Sequence, residues 1–151
     1  MIRLTDMDGV FSNGVFCGIK SDPQLKDVGF LFVPNAVGAA GVFTRNQAVS
    51  ATVTYTKKQM SRHTAKAVIV NSGNANAATG EQGMRDVKAT AKQAAALLGI
   101  EPYEVAIAST GVIGEYLPMN RIEEGLTQLL EHPEAQDAEA FADSILTTDL
   151  T

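Results

Sequence analysis

The chain has 151 residues, of which 45% are hydrophobic and 19% are charged, and its formal net charge is −5. A chain of this length can bury one core, so we expect a globular protein with residues 1–151 in a single domain. The negative charge and the scattered basic residues disfavour nucleic acid as a partner. We also expect neither a membrane-spanning nor a secreted protein, because no apolar run of about eighteen residues and no charged-then-apolar leader occurs.

Four short segments in the first half of the chain predict strands of a mainly antiparallel sheet. Residues 10–19, VFSNGVFCGI, place Asn13-Gly14 between two apolar runs, which predicts a tight hairpin. The other three segments are rich in β-branched and aromatic residues and end at Pro34, Asn46 and Lys57. They are VGFLFVP (28–34), AGVFT (40–44) and ATVTYT (51–56).

The middle of the chain predicts a strand, a helix and a second strand. The strands are AVIV (67–70) and EVAIAST (104–110). Between them, Thr79 and Gln82 have the spacing of a capping box, and Gly99 suits the left-handed residue that ends a helix. The helix places apolar residues at helical intervals, namely Val87, Ala91, Ala94, Ala95 and Leu98.

Two further helices are predicted in the last third of the chain. Pro118 suits the first turn of LPMNRIEEGLTQLLE (117–131), whose apolar face is Ile122, Leu126, Leu129 and Leu130. The segment EAQDAEAFADSIL (134–146) presents Ala138, Phe141, Ala142 and Ile145. The order of elements predicts an α/β (α+β) fold, with a layered mixed sheet flanked by helices.

Several residue types that often carry chemistry are isolated in this chain. Cys17 is the single cysteine, which excludes an internal disulfide and fits a reducing cytoplasm, and its apolar neighbours predict a small core residue. His63 and His132 have no further ligand at metal-binding spacing, so we expect both at the surface and no metal site. The acidic residues of the last two helices fit solvated helix faces.

Two glycine-containing strand ends are better candidates for a site. In ASTGVIGEYLP (108–118), a hydroxyl and a bare backbone follow a strand, which is what the stabilisation of an oxyanion requires. In NSGNANAATG (71–80), backbone donors beside a helix N-terminus favour an anion. A plain turn in the first segment, and small residues that only allow close packing in the second, remain open alternatives.

A third candidate for a site is the segment LTDMDGVFSNG (4–14). It is similar to the nucleophile loop of haloacid-dehalogenase-type phosphatases, in which two aspartates two residues apart hold magnesium and attack phosphate. The residues before Asp6 form a poor hydrophobic strand, and no convincing lysine or acidic pair follows in order. A solvated turn is the alternative.

Three segments together resemble the ornithine acetyltransferase family. They are VIVNSGNANAATGEQG, VAIASTGVIGEYLPM and ILTTD, and the resemblance runs from about residue 29 to residue 149. Members of this family transfer an acetyl group from N-acetylornithine to glutamate in arginine biosynthesis. The resemblance implies a cytoplasmic enzyme without a cofactor, and a fold like that of self-cleaving aminopeptidases.

The resemblance also implies a mechanism and roles for three residues. Members cleave their own precursor, and the threonine exposed at the new amino terminus of the β chain accepts the acetyl group before passing it on. By position in the motif, Thr110 (hydroxyl) and Gly111 (backbone N–H) match the oxyanion hole. Thr147 matches a substrate-binding threonine.

The sequence stops at Thr151, before the segment in which the family carries its cleavage site. We therefore expect most of an α chain, which is inactive without its β chain and assembles with it as an α2β2 heterotetramer. The resemblance predicts that NSGNANAATGEQG is bare because a second chain and a substrate approach it. It does not decide whether Asn71, Asn74 or Asn76 contacts substrate, or whether acetyl-CoA is also a donor.

Two other functions remain open at this point. A related amidase or aminopeptidase with the same kind of terminal nucleophile would hydrolyse its substrate instead of transferring an acyl group. A non-catalytic binding module would use the same loops only to hold a partner chain.

Overall fold

The structure, a computed structural model, describes residues 6–134 and 136–147. The strands in these residues are β1 (Phe11–Val15), β2 (Val28–Phe32), β3 (Ala67–Asn74) and β4 (Val105–Val112). The helices are α1 (Ala51–Met60), α2 (Gly80–Leu98), α3 (Met119–Leu130) and α4 (Ala138–Ile145), and a 3₁₀ turn covers Pro102–Glu104.

The four strands form one mixed sheet in the order β1-β2-β3-β4. β1 and β2 are antiparallel, as are β2 and β3, whereas β3 and β4 are parallel. A parallel pair needs a crossover connection, which α2 provides. The predicted mixed sheet flanked by helices is confirmed.

One face of the sheet carries the apolar core. Val28, Phe30 and Val105 are fully buried, and they belong to one cluster with Val87 of α2 and Leu126 of α3. Full burial of side chains of this size contributes about 1.5–3 kcal/mol each. The predicted helices at α2 and α3 are confirmed, with Gly99 left-handed at φ 66° after α2 and the predicted apolar face of α3 buried.

Two of the predicted strands are wrong. Residues 40–44 have no regular structure, and residues 51–56 lie in α1. The helix begins because the Ser50 hydroxyl accepts a hydrogen bond from the Val53 N–H, at 3.3 Å. Its buried residues are Thr52, Tyr55 and Gln59, which have helical spacing. Because these side chains carry polar groups, the sequence shows no apolar periodicity that would predict a helix here.

The predicted hairpin at Asn13-Gly14 is also wrong. Both residues lie inside β1, and Gly14 is paired with Gly29 of β2. A Cβ atom at Gly14 would overlap the carbonyl oxygen of Ala140 in α4. The glycine therefore allows α4 to approach the second face of the sheet closely, and no turn forms there.

The helix ends and faces differ from the prediction at two further places. The capping box at Thr79 and Gln82 does not form, because the Thr79 hydroxyl donates to Asn76 Oδ1 at 2.7 Å. In α4 the buried residues are Ala140 and Ser144, whereas Ala142 and Ile145 are exposed. The small residues face inwards because α4 packs over the glycines of β1 and β2.

None of the helices within the described ranges has both the length and the hydropathy to cross a membrane.

Gly14→Ala should destabilise the protein by about 2–3 kcal/mol, because the new methyl group would push α4 away from the sheet. Urea denaturation followed by circular dichroism measures the change. Gly38→Ala is the matched control, since the nearest atom to its new methyl group would be 3.9 Å away. Equal unfolding midpoints for the two variants would contradict the packing of α4 described here.

Candidate active site at the ends of the parallel strands

The parallel strands β3 and β4 end side by side in an irregular pair. The register shifts at Gly73 and Asn74, which together oppose residues 110–112 of β4. Gly73 has φ 98° and Gly111 has φ 127°, a backbone conformation that favours glycine. A Cβ atom at Gly111 would overlap the backbone of Gly73, so the two strands approach each other more closely than side chains would allow.

An open groove of about 660 Å³ lies beside this irregular pair. Its walls include Thr110 and Gly111 from β4, Thr147 after α4, and the loop that joins β1 to β2. All three site residues expected from the sequence therefore line one groove. A smaller cavity of about 270 Å³ beside α1 contains none of them.

Thr110 and Gly111 differ in their exposure, and the hydroxyl group of Thr110 is a candidate hydrogen-bond donor. Thr110 is half-buried and Gly111 is exposed. Within residues 6–134 and 136–147, the Thr110 hydroxyl has no hydrogen-bond partner. Its neighbour Ser109 is different, because its hydroxyl donates to Asn71 Oδ1 at 2.6 Å.

Helix α1 binds the outer edge of β4. Thr56 of α1 closes the preceding part: its hydroxyl accepts from the Ile107 N–H at 2.9 Å and donates to the Ile107 carbonyl at 2.7 Å. Alternate residues of a regular strand point their backbone groups to the same side, so the Ser109 N–H faces the same edge as that of Ile107. Gly111 departs from this regular pattern, because its φ is 127°.

The loop between β1 and β2 is held by one buried carboxylate. Asp27 is fully buried and accepts four backbone hydrogen bonds, of 2.7–3.1 Å. The donors are the N–H groups of Cys17, Gly18, Ile19 and Lys20. From the other side, the Arg121 side chain donates to the Gly18 carbonyl. The loop thus forms a fixed wall of the groove.

Cys17 is half-buried between this carboxylate and α3. A Cβ atom at Gly125 would be only 2.8 Å from the Cys17 Cβ. Burial, followed by the charge of Asp27 and a hydrogen bond to its carboxylate, raises the pKa of the Cys17 thiol to about 12. The thiol is therefore protonated at neutral pH and is a poor nucleophile.

Two asparagines near the end of β3, and a third just after it, bind other parts of this chain. Asn71 Nδ2 donates to the Asn74 carbonyl at 2.8 Å, and Asn74 Nδ2 donates to the carbonyls of Glu115 and Tyr116 at 3.2 Å. Asn76 Nδ2 donates to the Gly83 carbonyl at 3.0 Å. All three asparagines are buried, with exposed fractions of 6% or less.

The expectation that a second chain and a substrate approach this segment stays a prediction. Two of its glycines pack closely against other parts of this chain. At Gly73 a Cβ atom would be 3.0 Å from the Ile19 side chain, and at Gly83 it would overlap the Thr79 hydroxyl. Only Gly73 also borders the groove.

The alternative phosphatase loop stays a prediction. Asp6 and Asp8 are exposed, and they precede β1. The strand that this class of enzyme needs before its first aspartate would fall on the residues before Asp6, which lie outside the described part of the chain.

The two histidines are exposed, as predicted. In the part of the chain that the structure describes, no three His, Cys, Asp or Glu side chains are grouped so that they could hold a metal ion.

Two residues that shape the groove were not identified from the sequence. Asp27 follows Lys26 at the start of a strand, which is typical of a surface ion pair. Lys20 stands in a loop without a recognisable motif. Only the folded chain brings Asp27 to the backbone of the loop and Lys20 to the groove.

Two crystal structures share this fold. That of ornithine acetyltransferase from Mycobacterium tuberculosis, complexed with ornithine, has a TM-score of 0.92 and 37% sequence identity, covering 99% of this chain and 81% of that chain. That of arginine biosynthesis bifunctional protein ArgJ from Bacillus halodurans has a TM-score of 0.88 and 34% identity, covering 99% and 78%. The fold is therefore that of the ornithine acetyltransferases.

Sequence comparison gives the family directly. The ArgJ family profile matches residues 12–151. Arginine biosynthesis bifunctional protein ArgJ from Oceanobacillus iheyensis is 41% identical over 148 residues, which are 97% of this chain and 35% of that protein. The protein of the same name from Bacillus licheniformis is 42% identical over 142 residues, covering 93% and 34%. The chain belongs to the ArgJ family and spans about a third of the length of these curated relatives.

Asp27→Asn should lower the free energy of unfolding by about 3 kcal/mol or more, since charge-assisted hydrogen bonds are lost and an amide N–H is turned towards backbone donors. Chemical denaturation measures the loss. The control is Asp22→Asn, an exposed carboxylate that accepts one hydrogen bond, from the Gln24 N–H at 2.9 Å. A loss no larger than that of the control would show that the loop does not depend on Asp27.

Cys17 should react at least about 100-fold more slowly with a disulfide reagent at pH 8 in the folded protein than in urea, because the raised pKa leaves little thiolate. As the chain has one cysteine, the absorbance of the released thiolate reports Cys17 alone. Cys17→Ser gives the background rate. Similar rates in the folded and unfolded protein would contradict the buried position.

Proposed function

We propose that this chain is the α-chain portion of a glutamate N-acetyltransferase, which transfers an acetyl group from N-acetylornithine to glutamate in arginine biosynthesis. Membership of the ArgJ family supports the reaction. The observation that carries the role of this chain is the position of Thr110 and Gly111, which both line the groove at the end of β4.

Acetyl transfer through a threonine passes through a tetrahedral oxyanion in each of its two steps. Two preorganised donors at one point stabilise such a charge, because they need not reorient during the reaction. The Thr110 hydroxyl and the Gly111 N–H are those donors in this proposal. The tight approach of Gly111 to Gly73 fixes the N–H in place, and Thr147, on the same groove, contacts the substrate.

The attacking threonine belongs to a β chain of the same precursor, which forms an α2β2 heterotetramer with this chain in the cytoplasm. One feature of the fold is suited to such a partner. Three apolar side chains near the end of β4 are exposed: Val112, Ile113 and Tyr116 expose 51%, 68% and 66% of their surface. The same two donors would also assist self-cleavage, since that step forms an oxyanion as well. No cofactor is needed for this chemistry.

Thr110→Ala in the complete protein should lower kcat about 10²- to 10³-fold, because one oxyanion donor is lost. Acetyl transfer from N-acetylornithine to glutamate is measured, and the rate of self-cleavage is followed by gel electrophoresis. Thr110→Ser keeps the hydroxyl and should retain most of the rate. Thr64→Ala, at an exposed residue remote from the groove, is the matched control.

Normal turnover and processing in Thr110→Ala would refute the assignment of the oxyanion donors. Product analysis with and without glutamate separates transfer from the hydrolytic alternative: release of acetate at the same rate without glutamate would identify an amidase. If the complete protein forms an intact complex but catalyses neither transfer nor hydrolysis, the binding module would be favoured.

A further inference from the structure

Lys20 lies directly beside the proposed oxyanion donors. Its Cγ is 3.2 Å from the position that a Cβ atom of Gly73 would occupy, and Gly73 is in turn pressed against Gly111. Lys20 therefore lies one residue away from the turn that holds Thr110 and Gly111. All of these residues line the same groove.

The ammonium group of Lys20 is held in place, and among residues 6–134 and 136–147 it has no ion-pair partner. Its backbone N–H donates to Asp27 at 3.1 Å, and its Nζ donates to the Lys26 carbonyl at 2.7 Å. An ammonium group has three N–H donors, so two have no partner among these residues. The ion pairs found within the described ranges join other residues, namely Lys66 with Glu104, Arg85 with Glu81 and His132 with Glu134.

Partial burial makes a positive charge at this position costly. It lowers the pKa of the Lys20 ammonium, while the charges of Asp27 and Asp143 act in the opposite direction. The Asp27 carboxylate is fully engaged by four backbone N–H groups. An anion that enters the groove would restore the interactions that the ammonium loses on leaving water.

We propose that Lys20 is a specificity-determining residue that binds the α-carboxylate of the substrate. This inference rests on the proposed function, because it takes N-acetylornithine and glutamate as the substrates. The two molecules share an α-carboxylate and carry opposite charges at the ends of their side chains. A fixed cation at the side-chain end would repel ornithine, so only the shared carboxylate suits Lys20 in both half-reactions.

The test pairs a change in the protein with a change in the substrate. In the complete protein, replacing N-acetylornithine by its α-carboxamide should lower kcat/KM about tenfold or more, as one charge-assisted hydrogen bond is lost. In Lys20→Met the ratio between the two substrates should fall close to one. Lys20→Arg should keep most of the discrimination, and Lys88→Met, at an exposed residue of α2, should leave the ratio unchanged.

A purely structural role of Lys20 predicts a different result. Loss of the hydrogen bond to Lys26 would slow both substrates equally and leave their ratio as in the wild type, and this outcome would overturn the proposal. Wild-type protein without any acetyl transfer would instead refute the proposed function. In that case, calorimetric binding of N-acetylornithine and of its α-carboxamide to the wild type and to Lys20→Met still decides whether Lys20 recognises the carboxylate.

Discussion

The geometry of the groove depends on the buried carboxylate of Asp27. Burial of an unpaired charge would cost several kcal/mol, and four backbone N–H groups offset that cost. The backbone of Asp27 also joins two strands, since its N–H donates to the Val15 carbonyl and its carbonyl accepts from the Ser72 N–H. One residue thus connects the end of β1, the loop that carries Lys20 and the strand that ends at the site.

Close backbone contact between the ends of β3 and β4 fixes the shape of the groove beside the loop between β1 and β2. Gly73 and Gly111 allow the two strands to touch, and the side chains of Asn74 and Asn76 donate to carbonyls of the segments that surround this contact. Because these side chains are occupied and buried, they maintain the shape of the site. The polar side chains that line the groove itself include those of Thr110, Thr147 and Lys20.

The secondary structure of the second half of the chain was predicted from the sequence more accurately than that of the first half. The central helices α2 and α3 have apolar residues at helical spacing, and local periodicity there agrees with the tertiary packing. In α1 the buried side chains end in polar groups that bind distant backbone: the Tyr55 hydroxyl donates to the Pro102 carbonyl at 2.8 Å. Such contacts leave no apolar pattern. The prediction of a hairpin at Asn13-Gly14 also failed because of a long-range contact: Gly14 allows α4 to pack closely on the sheet and does not form a turn. The motif around Thr110 located the groove, whereas Lys20 and Asp27 reach it only through long-range contacts.

The contact between Thr56 and Ile107 has a consequence for the behaviour of the protein in solution. Unpaired strand edges recruit strands from other molecules, and sheets with long free edges aggregate. A single hydroxyl in α1 satisfies both backbone groups of Ile107, so cross-molecular pairing along β4 is blocked before it reaches the core of the sheet. A strand from another molecule would have to displace Thr56 before it could pair with β4 at this residue.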